Sequence, residues 1–165
     1  MALFPMNHQR LHIIIASALG IGYIPKGSGT FGAILACLGV LGLNALFPSD
    51  TLSYQGVLMG LTIIFLFIGR KASEVTELIW GEDSSKIVID EVVGQWLSLC
   101  LIPFSWTNLI LGLVLFRIYD IFKPFNIRSF EKYEKGWGVM LDDVAAGIWA
   151  NLTLQIVLLL FNFYV

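Results

Sequence analysis

The chain has 165 residues, of which 57% are hydrophobic and 13% are charged, and its mean hydropathy is +0.80. Soluble globular domains are about 45–50% apolar and about 25% charged, so this composition excludes a water-soluble domain and indicates a membrane protein. The net charge of −2 excludes nucleic-acid-binding proteins, which need a basic surface. We expect a single membrane-embedded domain over residues 1–165.

The apolar segments predict an all-α membrane helix bundle of about five spans. The stretch 11–22 comes first and is too short to cross a bilayer, so we predict a re-entrant or interfacial N-terminal segment there. Some of the later segments are shorter than the roughly 20 residues of an ideal span, which local thinning of the bilayer can accommodate. The five predicted spans cover about 31–47, 56–69, 87–102, 108–122 and 144–164.

A glycine-rich segment, Tyr23-Ile-Pro-Lys-Gly-Ser-Gly-Thr-Phe-Gly32, precedes the first predicted span. At a helix start, such a segment can present backbone N–H groups and the hydroxyls of Ser28 and Thr30 to a phosphate. It is not a Walker A loop, and a generic glycine-rich turn is the alternative. Its position on the same face as the acidic residues described below favours phosphate binding.

The distribution of basic residues predicts the orientation in the membrane. Two of the predicted loops and the C-terminal tail contain no Lys or Arg, and all ten basic residues lie in or nearest to the other connections. The positive-inside rule therefore places the N-terminus in the cytoplasm and the C-terminus outside, which agrees with five spans. The basic connections are 1–30, 70–86 and 117–135, and the uncharged or acidic ones are 48–55, 103–107 and the residues after 160.

Two acidic pairs lie in matched apolar surroundings, Ile87-Val-Ile-Asp-Glu-Val-Val-Gly94 and Val139-Met-Leu-Asp-Asp-Val144. In the predicted topology the first pair lies one turn inside the third span, and the second pair opens the fifth span from the same, cytoplasmic side. Helix capping is the alternative to a functional role, because acids stabilise helix N-termini. Capping fits the second pair better than the first.

A metal site is the functional interpretation of these four acids. A charge deep in a spanning helix costs about 2.5–3.5 kcal/mol on insertion scales, and two carboxylates 5 Å apart repel by about 3 kcal/mol at an effective dielectric of about 20. Cations must offset these costs, and hard oxygen ligands suit Mg²⁺. We therefore predict Mg²⁺ as the cofactor, with the ligands Asp90, Glu91, Asp142 and Asp143.

The fourth predicted span carries Arg117, Asp120 and Lys123 at intervals of three, so that successive members are neighbours on a helix. Pro124 marks the end of that helix. A salt bridge at the membrane boundary is one interpretation. In the other, Asp120 joins the acids of the metal site while Arg117 and Lys123 receive an anion.

Neither histidine of the chain, His8 or His12, lies near the acidic pairs, so we do not expect a histidine nucleophile or base. The nucleophile is then either water activated by a metal or one of the carboxylates. The candidate catalytic residues are Asp90, Glu91, Asp142, Asp143 and Asp120.

Four motifs in order, Gly-Ser-Gly-Thr-Phe-Gly at 27–32, Ile-Val-Ile-Asp-Glu-Val-Val-Gly at 87–94, Phe-Arg-Ile-Tyr-Asp-Ile-Phe-Lys-Pro at 116–124 and Gly-Val-Met-Leu-Asp-Asp-Val-Ala-Ala-Gly at 138–147, resemble the phosphatidylglycerophosphatase A family. The resemblance extends from about residue 10 to residue 150. It implies a Mg²⁺-dependent, multi-pass phosphatase of the bacterial inner membrane that converts phosphatidylglycerophosphate into phosphatidylglycerol at the cytoplasmic face. The candidate substrate-binding residues are Arg117, Lys123, Ser28, Thr30, Lys26 and Arg128.

A small ion-coupled transporter or channel component is the alternative from another functional class. Its acidic residues would be distributed along a pathway through the membrane. In the predicted topology every acidic residue except Asp50 lies in the cytoplasmic half, which fits a site at one face better than a route across the membrane.

Overall fold

The computed structural model describes residues 6–47, 51–82 and 84–161, and this part of the chain forms helices and no strands. Six α-helices are joined by turns, two of which contain short 3-10 helices at Ile21–Tyr23 and Ile127–Phe130. The predicted all-α fold is therefore confirmed. The α-helices are α1 (Met6–Ala16), α2 (Ser28–Leu46), α3 (Thr51–Trp80), α4 (Ile89–Leu99), α5 (Trp106–Phe122) and α6 (Trp137–Leu160).

Three of these helices are long and apolar enough to cross a membrane: Ser28–Leu46, Leu52–Trp80 and Trp137–Leu160. Each of the five predicted spans coincides with a helix, but α4 has only 11 residues and α5 has 17. The five-span topology and the re-entrant N-terminal segment therefore remain predictions. With 30 residues, α3 is about 45 Å long, which exceeds the roughly 30 Å of the hydrocarbon core.

The short helix α4 lies at the centre of the bundle, and nine of its 11 residues are buried against α2, α3, α5 and α6. Its closest approach is to α6, at a pair of glycines. A Cβ on Gly147 would overlap the carbonyl group of Gly94, and a Cβ on Gly94 would lie 2.7 Å from the carbonyl oxygen of Asp143. The two backbones can touch only because neither residue has a side chain.

Polar side chains from two neighbouring helices bind the C-terminal end of α4 inside the bundle. The Asn151 amide donates to the carbonyl oxygens of Leu97, Ser98 and Cys100, at 3.2, 3.1 and 2.7 Å. Gln55 on α3 accepts a 2.7 Å hydrogen bond from the Leu101 backbone. These bonds satisfy backbone groups inside the helix bundle, so α4 can end within the bundle.

The N-terminal segment holds the chain that leads into α4. The Val88 N–H donates to the Ala16 carbonyl oxygen at 2.8 Å, and the Ser28 hydroxyl donates to the Ser85 carbonyl oxygen at 2.8 Å. Together the two bonds fix the start of α4 relative to the end of α1 and the start of α2.

The observed helix starts correct the expectation about capping. Helix α6 begins at Trp137, after Gly136, which has a φ of 74° and whose N–H donates to Glu77 Oε2 at 3.1 Å. Asp142 and Asp143 consequently lie in the second turn, too far inside for capping. By contrast, Asp90 and Glu91 lie in the first turn of α4, rather than one turn inside a span.

Candidate active site

Three carboxylates from two helices converge at one end of the bundle. Asp90 and Glu91 on α4 and Asp143 on α6 each direct one oxygen into a group whose members all lie within 4.8 Å of one another. Asp90 is 8% exposed and Asp143 is 3% exposed. We call these three residues the acid trio.

The acid trio has the properties of a cation site. One oxygen of each member, namely Asp90 Oδ1, Glu91 Oε2 and Asp143 Oδ2, is buried without a hydrogen-bond partner in the described residues. Buried carboxylates that lack partners are costly, and their mutual repulsion adds to that cost. Two ligand atoms of one Mg²⁺ lie at most about 4.2 Å apart, so small side-chain movements would bring the trio onto a single ion.

Asp142 is adjacent in sequence but has different contacts. Its Oδ2 lies 2.5 Å from the Lys123 ammonium, and its Oδ1 accepts a 3.0 Å hydrogen bond from the Asp143 backbone. The sequence predicts Asp142 as a fourth metal ligand. In the structure its charge is paired with a lysine, and its role as a ligand stays a prediction.

Lys123 connects Asp142 to a residue that the sequence analysis missed. The lysine ammonium also lies 2.6 Å from Glu131 Oε1. Burial alone would lower the pKa of Lys123, but the hydrogen bonds to Asp142 and Glu131 outweigh this effect and raise the pKa above its usual value. Lys123 therefore stays charged, and since an ammonium has three N–H donors, one remains for another acceptor. The only sequence signal for Glu131 is its position in the basic 117–135 connection.

Arg117 and Asp120 form the predicted pair on α5, with 2.5 Å between Nη1 and Oδ2. The salt-bridge interpretation is thus correct as a contact. It does not exclude anion binding, because Arg117 Nε has no hydrogen-bond partner among the described residues. Asp120 also lies close enough to act electrostatically on all four acids of the two acidic pairs.

The N-terminal turn of α2 faces the same group. Gly27 adopts a left-handed conformation with a φ of 74° and begins the helix at Ser28. A Cβ on Gly29 would overlap Glu91 Oε1 and lie 3.2 Å from Arg117 Nη1, so only glycine lets this turn approach the acid and the guanidinium together. Backbone N–H groups at a helix start attract anions.

The remaining predicted substrate-binding residues have different surroundings. The Ser28 hydroxyl is bound to the Ser85 carbonyl oxygen, which gives Ser28 a structural contact. Thr30 lies beside Arg117 along a groove between α2 and α5. Lys26, in the turn before α2, and Arg128, in the 3-10 helix after α5, are exposed.

Gln95 is a second residue that the sequence analysis missed. It lies one helical turn after Glu91 on α4 and is fully buried, and neither its amide nitrogen nor its oxygen has a hydrogen-bond partner in the described residues. The available sequence signal was its i+4 spacing from Glu91 within an apolar run.

This arrangement puts candidate cation ligands and candidate anion-binding groups side by side. The acid trio suits a divalent cation, while Arg117 and the start of α2 suit a phosphate or another anion. Phosphomonoester hydrolysis needs such a combination, because negative charge must be neutralised on the transferred phosphoryl group.

Comparison with known proteins identifies relatives over most of the chain. The family model of phosphatidylglycerophosphatase A matches residues 14–158. The chain is 37% identical over 141 residues to phosphatidylglycerophosphatase A of Haemophilus influenzae, covering 83% of this chain and 82% of the relative. It is 32% identical over 137 residues to phosphatidylglycerophosphatase A of Escherichia coli, covering 82% and 76%.

A third relative carries a different name. The chain is 36% identical over 149 residues to a Bacteroides thetaiotaomicron protein that is provisionally named a phosphatidylinositol-3-phosphatase, covering 88% of this chain and 92% of the relative. No solved structure matches the chain.

Proposed function

The chain belongs to the phosphatidylglycerophosphatase A family, and from this membership we propose that it hydrolyses the terminal phosphomonoester of phosphatidylglycerophosphate to give phosphatidylglycerol. Family membership makes the protein a phosphatase. The observation that carries the proposal is the acid trio, whose three carboxylates each have one buried, unpaired oxygen and lie beside Arg117 and the start of α2.

Asp90, Glu91 and Asp143 are the proposed Mg²⁺ ligands. The group offers three carboxylate oxygens and, within the described residues, no nitrogen or sulfur donor. Such a ligand set suits this hard cation. When bound, the ion would neutralise phosphate charge and activate water. Asp120, which forms an ion pair with Arg117, is the candidate for accepting a proton from the attacking water.

Arg117 and Lys123 are the proposed phosphate-binding residues. Arg117 can present two parallel N–H donors to phosphate oxygens, while Lys123 contributes a compact charge. Asp142 and Glu131 hold the lysine in position by accepting two of its hydrogen bonds. Arg117 lies near Glu91 of the acid trio, and Lys123, just after α5, pairs with Asp142 beside Asp143. A phosphate there would contact these two side chains and a metal ion held by the acid trio together.

The proposal includes an orientation in the bacterial inner membrane. The active site and the N-terminus face the cytoplasm, and α4 and α5 provide two short crossings in addition to the three long helices. The basic connections on one side and the absence of Lys and Arg from 48–55 and 103–107 support this orientation. A lipid phosphate at headgroup depth would then lie level with the first turns of α2 and α4.

A phosphate-release assay tests the proposed function. Purified protein in mixed micelles should hydrolyse phosphatidylglycerophosphate in the presence of Mg²⁺, and EDTA should abolish the reaction. Asp143→Asn protein, purified identically, is the control for contaminating phosphatases. The absence of phosphate release from phosphatidylglycerophosphate by folded wild-type protein would contradict the proposal.

Hydrolysis of phosphatidylinositol 3-phosphate is the second candidate, since the Bacteroides thetaiotaomicron relative carries that name. The same assay separates the two candidates when both lipids are supplied at equal mole fraction, with phosphatidic acid as a third substrate. A larger kcat/KM for phosphatidylinositol 3-phosphate would favour the second candidate. Equal hydrolysis of all three lipids would indicate a phosphatase without headgroup selectivity.

A further inference from the structure

A groove of about 350 Å³ runs along α5 beside the start of α2. Its wall is apolar throughout, because Thr30 and Arg117 border it through their carbon atoms and the other lining residues are aliphatic or aromatic. The apolar wall includes Val114, Ile118, Ile121 and Phe122.

Arg117 connects this groove to the candidate active site. Its Nη1 contacts Asp120. It also lies near Gly29 at the start of α2, on the side where Gly29 meets Glu91. The residues that follow it along the groove are turned outward, with Ile118 45% and Ile121 59% exposed. A ligand in the groove would therefore have an apolar body alongside α5, open to the surrounding lipid, and would pass the carbon atoms of Arg117, whose Nη1 is buried beside Asp120.

We propose that this groove receives an acyl chain of the lipid substrate while the substrate phosphate lies at Arg117. The inference rests on the proposed function and adds a chain-binding site to it. A bilayer is as apolar as the groove, so burial in the groove supplies little affinity. Its contribution is orientation, since a chain held along α5 aligns the phosphate with the acid trio.

A larger apolar groove lies on the opposite side of α4. It has a volume of about 480 Å³ and is formed by α1, α2, α3 and α4, with Leu35, Ile68 and Trp96 in its wall. No member of the acid trio, and neither Arg117 nor Lys123, lines it. A lipid chain there would lie apart from the proposed phosphate-binding residues, which makes this groove a matched control.

Two isoleucine substitutions test the assignment. Ile118→Trp fills the α5 groove, and Ile68→Trp fills the control groove; the native side chains are similarly exposed, at 45% and 40%. Activity is measured on long-chain phosphatidylglycerophosphate and on the same headgroup without acyl chains. Wild-type protein that hydrolyses neither substrate would refute the proposed function itself, separately from the groove.

We expect Ile118→Trp to lower kcat/KM for the long-chain substrate at least about tenfold, because the phosphate is misaligned. The headgroup-only substrate should change by less than about twofold, and Ile68→Trp should change neither substrate by more than that. An unchanged long-chain rate in Ile118→Trp, an equal loss on both substrates, or a long-chain loss confined to Ile68→Trp would overturn the proposal.

Photolabelling gives an independent readout. A phosphatidylglycerophosphate analogue with a diazirine on one acyl chain should label residues 113–122 of α5. Excess unlabelled substrate should suppress this labelling, and excess phosphatidylethanolamine should not. Labelling that both lipids suppress equally would identify bulk lipid contact and overturn the proposal.

Discussion

At the scale of single residues, the acid trio gives the sharpest prediction. Asp90→Asn and Asp143→Asn keep size and polarity but remove one charge from the proposed cation site. We expect kcat/KM to fall at least about 100-fold, as when a key electrostatic group is lost from an active site. Mg²⁺ affinity, followed by calorimetry, should fall in the same variants, while the melting temperature stays close to that of the wild type.

Glu74→Gln is the matched control for these variants, because Glu74 pairs with Lys71 on α3, away from the acid trio. Its removal should leave activity and Mg²⁺ affinity unchanged, as expected of an exposed ion pair. Wild-type activity in both Asp90→Asn and Asp143→Asn would eliminate the shared-metal site. Pure helix capping by Asp90 predicts that outcome, since Asn caps about as well as Asp.

Asp142→Asn separates two roles that the sequence could not distinguish. Because Asp142 pairs with Lys123, we expect its replacement to weaken substrate binding and to raise KM, with Mg²⁺ affinity retained. A loss of Mg²⁺ affinity equal to that of Asp143→Asn would instead make Asp142 the fourth ligand.

Arg117→Lys tests the bidentate recognition of phosphate. Lysine keeps the charge but cannot reproduce the planar fork, so we expect kcat/KM to fall at least about tenfold. Lys71→Arg, at an exposed position on α3, exchanges the same two residue types in the opposite direction and controls for a change of basic side chain. Unchanged kinetics in Arg117→Lys and Arg117→Ala would remove this residue from the site.

Residue types could be predicted better than residue partners. The composition and motifs led to Asp90, Glu91 and Asp143, because buried acids in an apolar run require a cation or another compensating partner. The pairing of Lys123 with both Asp142 and Glu131 depends on how the chain turns after α5, and no local pattern encodes it. Gln95 was missed because its i+4 spacing from Glu91 is a single match within an apolar run and forms no repeating pattern.

At the scale of secondary-structure elements, the contact between α4 and α6 supports the site. Gly147→Val would push α6 away from the Gly94 carbonyl and separate the two helices that carry the acid trio. We expect a destabilisation of about 1–3 kcal/mol, typical of overpacking, and a large loss of activity. Thermal unfolding in detergent and the phosphate-release assay measure the two effects.

Gly60→Ala is the control for that substitution. Gly60 lies within α3, and a Cβ there meets nothing within 4 Å. Alanine should leave activity unchanged and stabilise the helix by up to about 1 kcal/mol, because it restricts the unfolded chain. Equal stability and activity of Gly147→Val and wild type would contradict the tight helix crossing.

Helix positions followed from hydropathy, but several helix boundaries did not. Hydropathy ended the second predicted span at residue 69, whereas α3 continues to Trp80 through charged residues that pair along the helix. The start of α6 depends on Gly136 and on the distant Glu77, a contact 59 residues apart in sequence. Such long-range caps cannot be predicted from a local window.

At the scale of the whole molecule, cysteine accessibility tests the orientation. In a background without Cys37 and Cys100, Leu52→Cys at the start of α3 should react with a membrane-impermeant maleimide in intact cells. Lys132→Cys, near the active-site end, should react only after permeabilisation. The reverse pattern would contradict the proposed cytoplasmic site. Asp50, the one acid predicted on the outer side, lies outside the described residues.

The division of the acid trio between α4 and α6 has a consequence for biosynthesis. A ribosome makes the helices in chain order, so Asp90 and Glu91 on α4 are synthesised before Asp143 on α6. A nascent chain therefore presents two carboxylates without the third until α6 packs against α4. Under the proposed function, lipid hydrolysis therefore requires α6, and a chain truncated before α6 should be inactive.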